Sequence, residues 1–365
     1  RLLESITAIP EPYPRRDQSA PPIPVRLLAR MAARGLGRTL AEYVRGSGAT
    51  LLTTFYTPAV LAAARRTPRI VSVVTDSDIN RVWVPARPAE WPIHYCAPSE
   101  RAVRRLRDYG VPREWIHLTG FPLPPSLLGD VRLDVLRRNL AGRLLRLDPR
   151  GTFRGESREE LEHFLGPLPD SETGRPPLLT FAIGGAGAQA EVVRTYIGAL
   201  RRAVDDGRLR LALVAGTRAD TAERLREWTA AAGFGTRGDD RVRVLFEPSF
   251  DAYYTRFNEL LAETDILWTK PSEMTFYGAL GIPLVFSRPV GVHERFNRKW
   301  ARQRGAGLKQ ENPGYAWDWL REWLKEGTLA AAAWSGYTRL PKFGLQRISE
   351  VVRGVADGGD RAFVE

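Results

Sequence analysis

The residues best suited to chemistry in this 365-residue chain stand at the ends of apolar runs. Residues 178–183 (LLTFAI) lead into Gly184-Gly185-Ala186-Gly187-Ala188-Gln189 and then into a helical pattern over 189–205. Small residues let a ligand approach the backbone, and the first N–H groups of a helix have no intrahelical partner, so this turn can hold a phosphate. A strand–helix turn that is merely tightly packed uses the same residues. It is neither a Walker loop, which needs Gly-Lys-Ser/Thr, nor a complete GxGxxG fingerprint. A second run, 266–269, ends in Lys270-Pro271-Ser272-Glu273-Met274-Thr275. Here Ser272 or Thr275 is expected to cap a following helix, and the turn can hold a phosphate or ribose. A third loop carries His293, Glu294 and Asn297, polar groups suited to reading sugar hydroxyls, although a lone His293 is equally a structurally bonded imidazole. Arg218, just past another run, suits a pyrophosphate by its charge. In the first half, Asp76 and Asp78 follow RIVSVV. A carboxylate at a sheet's C-terminal edge can take the proton of an acceptor hydroxyl, and an Asx-turn or helix cap uses the same residues.

Positioning these groups requires a particular order of elements. From residue 49 onward short β-rich runs alternate with helical stretches, the pattern of βα units feeding a parallel sheet. Strands are expected at 51–56, 70–74, 93–97, 115–119, 178–183, 209–215, 242–246, 266–269 and 284–286, several of them continuous apolar runs as in sheets covered on both faces. Helices are expected at 99–109, with Ser99 as cap and Gly110 as stop, and at 130–147, 157–165, 189–205, 221–232 and 346–355. In such sheets the chemistry lies beyond the C-terminal ends of the strands. Pro, Gly and charged residues crowd 122–177, which places an interdomain connection there. The division is therefore 1–165, 166–330 and a closing helical segment 331–365 that packs back toward the first domain. Residues 26–43 carry Leu27, Leu28, Met31, Leu36, Leu40 and Tyr43 at helical spacing with arginines on the other face. Core packing of the apolar side is the expectation, and an anionic membrane surface is the other use of such a helix.

Composition narrows the class. No apolar run approaches the length of a membrane span. A single cysteine, Cys96, excludes an intramolecular disulfide and a cysteine-cluster metal site, fits a reducing cytosol, and in the run 93–97 is expected in the core. The net charge of +12 comes from 54 basic residues, of which five are lysine. Nucleic acid, anionic lipid and a sugar-nucleotide pyrophosphate would all be attracted, as would the arginine-rich usage of a GC-rich genome account for the bias. No motif interleaves the basic residues with base-stacking aromatics, so nucleic acid is not an expected partner. The first residue is Arg1 with no secretion signal behind it, which reads as a cut start.

The order of GGAGAQ, LVAGTR, VLFEP, TDILWTKPSEMTFYGALGIPLV and HERFN resembles the C-terminal domain of GT-B glycosyltransferases. The similar families are the lipid-linked N-acetylglucosaminyltransferase of peptidoglycan synthesis and monogalactosyldiacylglycerol synthase. Residues 98–123 (PSERAVRRLRDYGVPREWIHLTGFPL) and the VVTD turn resemble them also, and the likeness spans about residues 45–310. The resemblance implies an α/β fold with two Rossmann-like parallel-sheet domains facing a cleft, the N-terminal one incomplete. It implies that the Gly-rich turn (Gly184, Gly185, Gly187, Gln189) and the turn bearing Ser272, Glu273, Met274 and Thr275 hold the diphosphate. Phe246 then meets the base, and His293, Glu294 and Asn297 meet the donor sugar. Two departures stand out. Phe276 occupies the position of the usual ribose-binding glutamate, for which Glu273 is the substitute, and the families' N-terminal Gly-rich loop with its histidine is absent.

The expected function is transfer of a sugar from a nucleotide-diphosphate donor, UDP-sugar favoured, to a hydroxyl acceptor of lipid, lipid-linked or small-molecule type. Asp76 or Asp78 acts as base, and the resemblance implies inversion without a covalent intermediate. No cofactor and no obligatory metal are expected, since the leaving diphosphate is stabilised by N–H groups, helix dipoles and cations such as Arg218. A DxD spelling also occurs in metal-dependent GT-A enzymes, but the two-domain ladder argues against that fold. The alternatives are a sugar-nucleotide 2-epimerase and a non-catalytic nucleotide-sugar-binding scaffold. The expected location is the cytoplasm, with peripheral contact at the inner membrane face as an option.

Overall fold

Continuous apolar runs become strands buried on both faces, as the 178–182 run does at every residue. In the computed structural model, which describes residues 18–168, 174–182, 190–234, 241–289 and 291–358, two compact units each hold one fully parallel sheet. Unit one comprises Arg1–Leu123, Val290–Asn297 and Pro341–Glu365, and unit two comprises Pro124–Pro289 and Arg298–Leu340. Residues 183–189, and with them Gly184, Gly185, Gly187 and Gln189, lie outside the described residues.

In unit one the strands β1 (Leu51–Thr53), β2 (Ile70–Val73), β3 (His94–Ala97) and β4 (Ile116–Leu118) lie in sequential order. β1 is shorter than its apolar run. The Phe55 N–H bonds the Thr53 hydroxyl at 3.1 Å, and a helix begins at Tyr56. The helix Glu100–Asp108 starts as its sequence prescribes, with Ser99 Oγ accepting from the Ala102 N–H at 3.1 Å. Cys96 is buried, and burial pushes its thiol up to about 12. The helix Gly344–Ala356 packs Ile348, Val351 and Val355 on Val71, Val73 and Cys96. At about 1.5–3 kcal/mol per buried side chain this contact holds the last helix on unit one's sheet. The 26–43 stretch departs from its expectation. Two helices form, Ile23–Ala33 and Arg38–Ser47, and they bury Val25, Ala32, Ala41 and Val44 while Leu27, Met31, Leu36 and Tyr43 stay exposed. Gly37, in the left-handed region at φ 79°, separates them and re-aims the second.

Unit two carries β5 (Leu178–Ala182), β6 (Arg210–Gly216), β7 (Val242–Phe246), β8 (Ile266–Thr269), β9 (Leu284–Phe286) and β10 (Gly307–Lys309). Their order is β10-β9-β8-β5-β6-β7, so the chain fills one side of β5, crosses over, and fills the other. β10 is too short and too polar to be read from sequence. The segment after β8 is a 3₁₀ helix, Glu273–Leu280, and neither Ser272 nor Thr275 caps it with a side chain. The Thr275 hydroxyl instead donates to the Ser272 carbonyl at 2.9 Å.

The helix Asp134–Leu147, within the 122–177 stretch where composition places the connection, belongs to unit two. Its fully buried Arg143 donates to the carbonyls of Thr264 (2.8 Å) and Leu280 (2.9 Å), while burial lowers the guanidinium to about 10. Gly281, at φ 63°, leaves room for Leu140, whose Cδ1 would lie 2.6 Å from any Cβ there. Trp268 at the centre of the unit meets Tyr196 at 3.9 Å and Trp319 at 5.1 Å, which puts Trp319 in the core.

One carboxylate sets the register of the two central strands. Asp265, fully buried, accepts from the Leu178 N–H at 2.8 Å and pairs with Arg175 at 2.6 Å and Arg146 at 2.8 Å. Asp265→Ala strands two cations beside a buried N–H and is expected to cost about 3–5 kcal/mol in equilibrium denaturation. A loss below about 1 kcal/mol would show the clamp to be dispensable.

A pH response is built into the first sheet. The His94 and His117 rings stack, with Nδ1 and Nε2 3.2 Å apart, and burial followed by His94 lowers His117 from 6.5 to about 4. The unfolded chain then binds more protons between those values, so stability is lost as pH falls from 6.5 toward 4. His117→Asn is expected to flatten the melting temperature over that window, and an unchanged slope would locate the acid sensitivity elsewhere.

Candidate functional site

The turn that leaves β2 is held by side chains on every side. Asn297, buried in the helix Val292–Gln303, accepts at Oδ1 from the Ser77 N–H (2.9 Å) and the Ser77 hydroxyl (2.7 Å). Its Nδ2 donates to Asp76 Oδ1 at 3.0 Å. The Ser77 carbonyl accepts from Ser99 Oγ at 2.7 Å, and the Ile79 carbonyl from the Tyr109 hydroxyl at 2.8 Å. Asp78 is fully buried against Arg105 Nε at 2.9 Å, with Arg101 at 3.5 Å, and accepts from the Ile79 N–H at 3.0 Å. The two aspartates therefore differ in kind. Both border a cleft of about 340 Å³, Asp78 fully buried and paired with arginines, Asp76 half-buried.

That cleft is lined by Phe55, Tyr56, Asp76, Asn80, Trp83 and His293 among others. It combines a carboxylate, an imidazole and flat aromatic faces, the fittings of a site for a hydroxylated molecule with an apolar part. Of the HERFN trio only His293 reaches it. Gly291 makes room for its ring, which lies 2.6 Å from where a Cβ would stand. Glu294 is buried and accepts from the Gly291 N–H at 3.4 Å, in the manner of a capping carboxylate. Asn297 is the internal tie already described. Ser77 is the residue sequence reasoning passed over, and its small size between two aspartates carries no signal of its own.

Unit two offers a second constellation, at the point where its strand order reverses. β5 pairs with β8 up to Ala182↔Thr269, so the turns that leave the two strands start side by side. The crevice beyond such a reversal is where open α/β sheets take ligands. Thr269 Oγ1 donates to the Ala182 carbonyl at 3.1 Å and meets Met274 Sδ at 3.6 Å, which makes Met274 a buried support. Ser272 is 5% exposed and its hydroxyl has no hydrogen-bond partner among the described residues. A buried orphan hydroxyl costs about 1–3 kcal/mol unless a ligand completes it. Lys270, one residue past β8, is half-buried beside it, a cation the sequence reading did not single out.

The remaining sequence candidates lie farther out along the same sheet. Phe246 ends β7 opposite Gly216, half-buried. Arg218 follows β6 and pairs with Asp220 at 3.0 Å, a surface ion pair that a ligand anion can exchange. Among the described residues no group of three or more His, Cys, Asp or Glu is placed to hold a metal ion.

Comparison with solved structures decides the architecture. The S. aureus MnaA–UDP co-structure matches 90% of this chain and 82% of its own at a TM-score of 0.56 and 12% identity. The UDP-GlcNAc 2-epimerase from Neisseria meningitidis bound to UDP-GlcNAc covers 96% and 84% at 0.51 and 12%. The fold is of the GT-B type. A Listeria monocytogenes protein assigned as a UDP-N-acetylglucosamine 2-epimerase shares it at 0.56 and 15%, over 93% of this chain and 83% of its own. A family model described as a domain of unknown function (DUF6938) matches residues 240–312, from just before β7 to just after β10. No curated protein matches the chain.

Asn297→Ala leaves the buried Ser77 N–H and hydroxyl without their acceptor. It is expected to cost about 1–3 kcal/mol of stability by denaturant titration. Asn297→Asp keeps an acceptor for Ser77 but sets a second carboxylate against Asp76, so it should recover none of the loss at neutral pH and part of it only in acid. Equal stability of all three proteins would show the tie to be unimportant.

Proposed function

We propose that the chain binds a nucleotide-diphosphate sugar on unit two and transfers the sugar to a hydroxyl acceptor held on unit one. The observation that carries the reading is the buried Ser272 hydroxyl at the strand-order reversal of unit two, which has no partner among the described residues. A diphosphate oxygen is an acceptor that would complete it, and Lys270 and Arg218 supply cations on the same sheet edge. The Gly184-Gly185-Ala186-Gly187 turn starts from the strand beside it, and its N–H groups are assigned to the same diphosphate. Phe246 is assigned to the base, and Glu273 to the ribose. UDP is the favoured diphosphate, because two similar structures hold UDP or UDP-GlcNAc.

Asp76 is the general base in this reading. Asn297 orients its carboxylate toward the cleft, where it takes the proton of the acceptor hydroxyl. The acceptor oxygen bonds to the anomeric carbon as the bond from that carbon to the diphosphate breaks, and the diphosphate leaves with the electron pair. Donors on unit two meet the charge that develops on it. His293, on the same cleft wall, is assigned to a sugar hydroxyl. Asp78, also a base candidate by sequence, is assigned a positioning role in this reading, because its carboxylate is fully buried and held by Arg105. The aromatic lining of the cleft favours an acceptor with an apolar part.

The epimerase-type reading is favoured by one finding, the similarity to structures that carry that name. The two are separated by incubating the chain with UDP-sugar and no acceptor, where release of free UDP favours epimerase-type chemistry.

Calorimetric titration with UDP, GDP, TDP and ADP is expected to select one diphosphate at micromolar affinity. Ser272→Ala should weaken it roughly tenfold, and replacing Gly185 with a bulky residue should abolish it. Asp76→Asn should leave that affinity unchanged while lowering turnover by about 10²–10⁴-fold. Binding of no diphosphate sinks the donor site, and undiminished turnover in Asp76→Asn sinks the base.

A further inference from the structure

The helices Ile23–Ala33 and Arg38–Ser47 present an outward face that unit one does not use. Val25 and, in part, Leu28 pack against the core of unit one, with Tyr56, Val82 and Trp83 in the same cluster, and so fix the first helix in place. On its other side Ile23, Leu27 and Met31, spaced i, i+4 and i+8, form one stripe with 73%, 54% and 43% of their surfaces exposed. Leu36 at 43% and Tyr43 at 75% extend the exposed apolar set beyond the first helix. Large apolar side chains gathered this way mark a docking face, since each would otherwise be expected in the core.

Charge says what covers it. Arg26, Arg30 and Arg34 recur at the same i, i+4, i+8 spacing, about 60° around the helix from the apolar stripe, and Arg38 opens the second helix. All four are exposed, and none forms an ion pair among the described residues. From Gln18 to Ala41 the sequence holds no acidic residue at all. A face that combines exposed Ile, Leu and Met with a flanking row of unpaired arginines fits an interface whose surface is anionic and whose interior is hydrocarbon. No described helix is long and apolar enough to cross a membrane, so the contact is one of lying on the surface.

A shallow apolar dent of about 200 Å³ adds depth to the face. Pro24, Leu27, Leu28 and Met31 line it together with Tyr56 and Val82. Tyr56 and Val82 also line the Asp76 cleft, so the two hollows share a wall within unit one.

We propose that this face docks the protein on an anionic lipid bilayer. The proposal stands on the exposed residues alone and does not require the sugar-transfer reading. Its test is cosedimentation of the full chain, without nucleotide, with vesicles of phosphatidylcholine alone or of phosphatidylcholine with phosphatidylserine. The expected result is retention by the phosphatidylserine vesicles only, released by added salt. Arg26→Gln with Arg30→Gln should weaken retention about fivefold per arginine. Leu27→Asp with Met31→Asp should abolish it, with the melting temperature and the nucleotide titration unchanged. Retention equal on neutral vesicles, or none on either, overturns the proposal. So does self-association, seen by ultracentrifugation, that the Leu27→Asp and Met31→Asp changes remove, because the face would then belong to a second copy.

Discussion

Asp265 is the group on which the geometry of unit two rests. Its carboxylate, at the entrance of β8, accepts from the first N–H of β5 and is held from outside by Arg146 and Arg175. At the far end the Thr269 hydroxyl closes on the Ala182 carbonyl. Two strands that run from one clamp to the other must leave the sheet level, and the turns after them must begin as neighbours. A one-residue slip would turn every side chain of β8 to the opposite face. Buried ion pairs contribute little net stability against apolar replacements, so the better-supported use of this one is to specify register.

The two sheets are alike in being parallel and buried, and they differ in order. Unit one runs β1-β2-β3-β4 without a reversal, so topology alone marks no crevice. Its cleft is instead made by side chains, with Asn297 bridging Asp76 and Ser77 from a helix 220 residues away in the chain. Unit two reverses between β5 and β8, and its candidate site follows from the topology itself. The candidate site of unit one is thus set by packing, and that of unit two by strand order.

Within unit one, the contrast of Asp76 with Asp78 shows how burial distributes roles. The two carboxylates are two residues apart on one turn and equivalent in sequence. Arg105 and Arg101 hold Asp78 fully buried at the edge of the cleft, where an unpaired charge would be costly, while Asp76 on the same cleft stays half-buried. The HERFN segment divides likewise. Helical spacing sends Glu294 and Asn297 inward and leaves His293 on the cleft wall.

Much of this fold was determined by the sequence alone. Short apolar runs between helical stretches favour strands of a parallel sheet, and eight of the nine expected strands fall within two residues of their expected bounds, the ninth, β1, ending three residues early. Ser99 and Gly110 bracket their helix because an N-cap oxygen and a left-handed glycine act on the nearest few residues. Local chemistry of that kind is legible one residue at a time. Tertiary structure alone decided what depends on partners distant in the chain. It decided that Arg143 ties the 134–147 helix to unit two, that Asn297 is an internal brace, that the Ser272 hydroxyl has no partner among the described residues, and that Leu27 and Met31 face outward. An amphipathic pattern states that a helix has an apolar side, and only the packed structure states whether anything covers it.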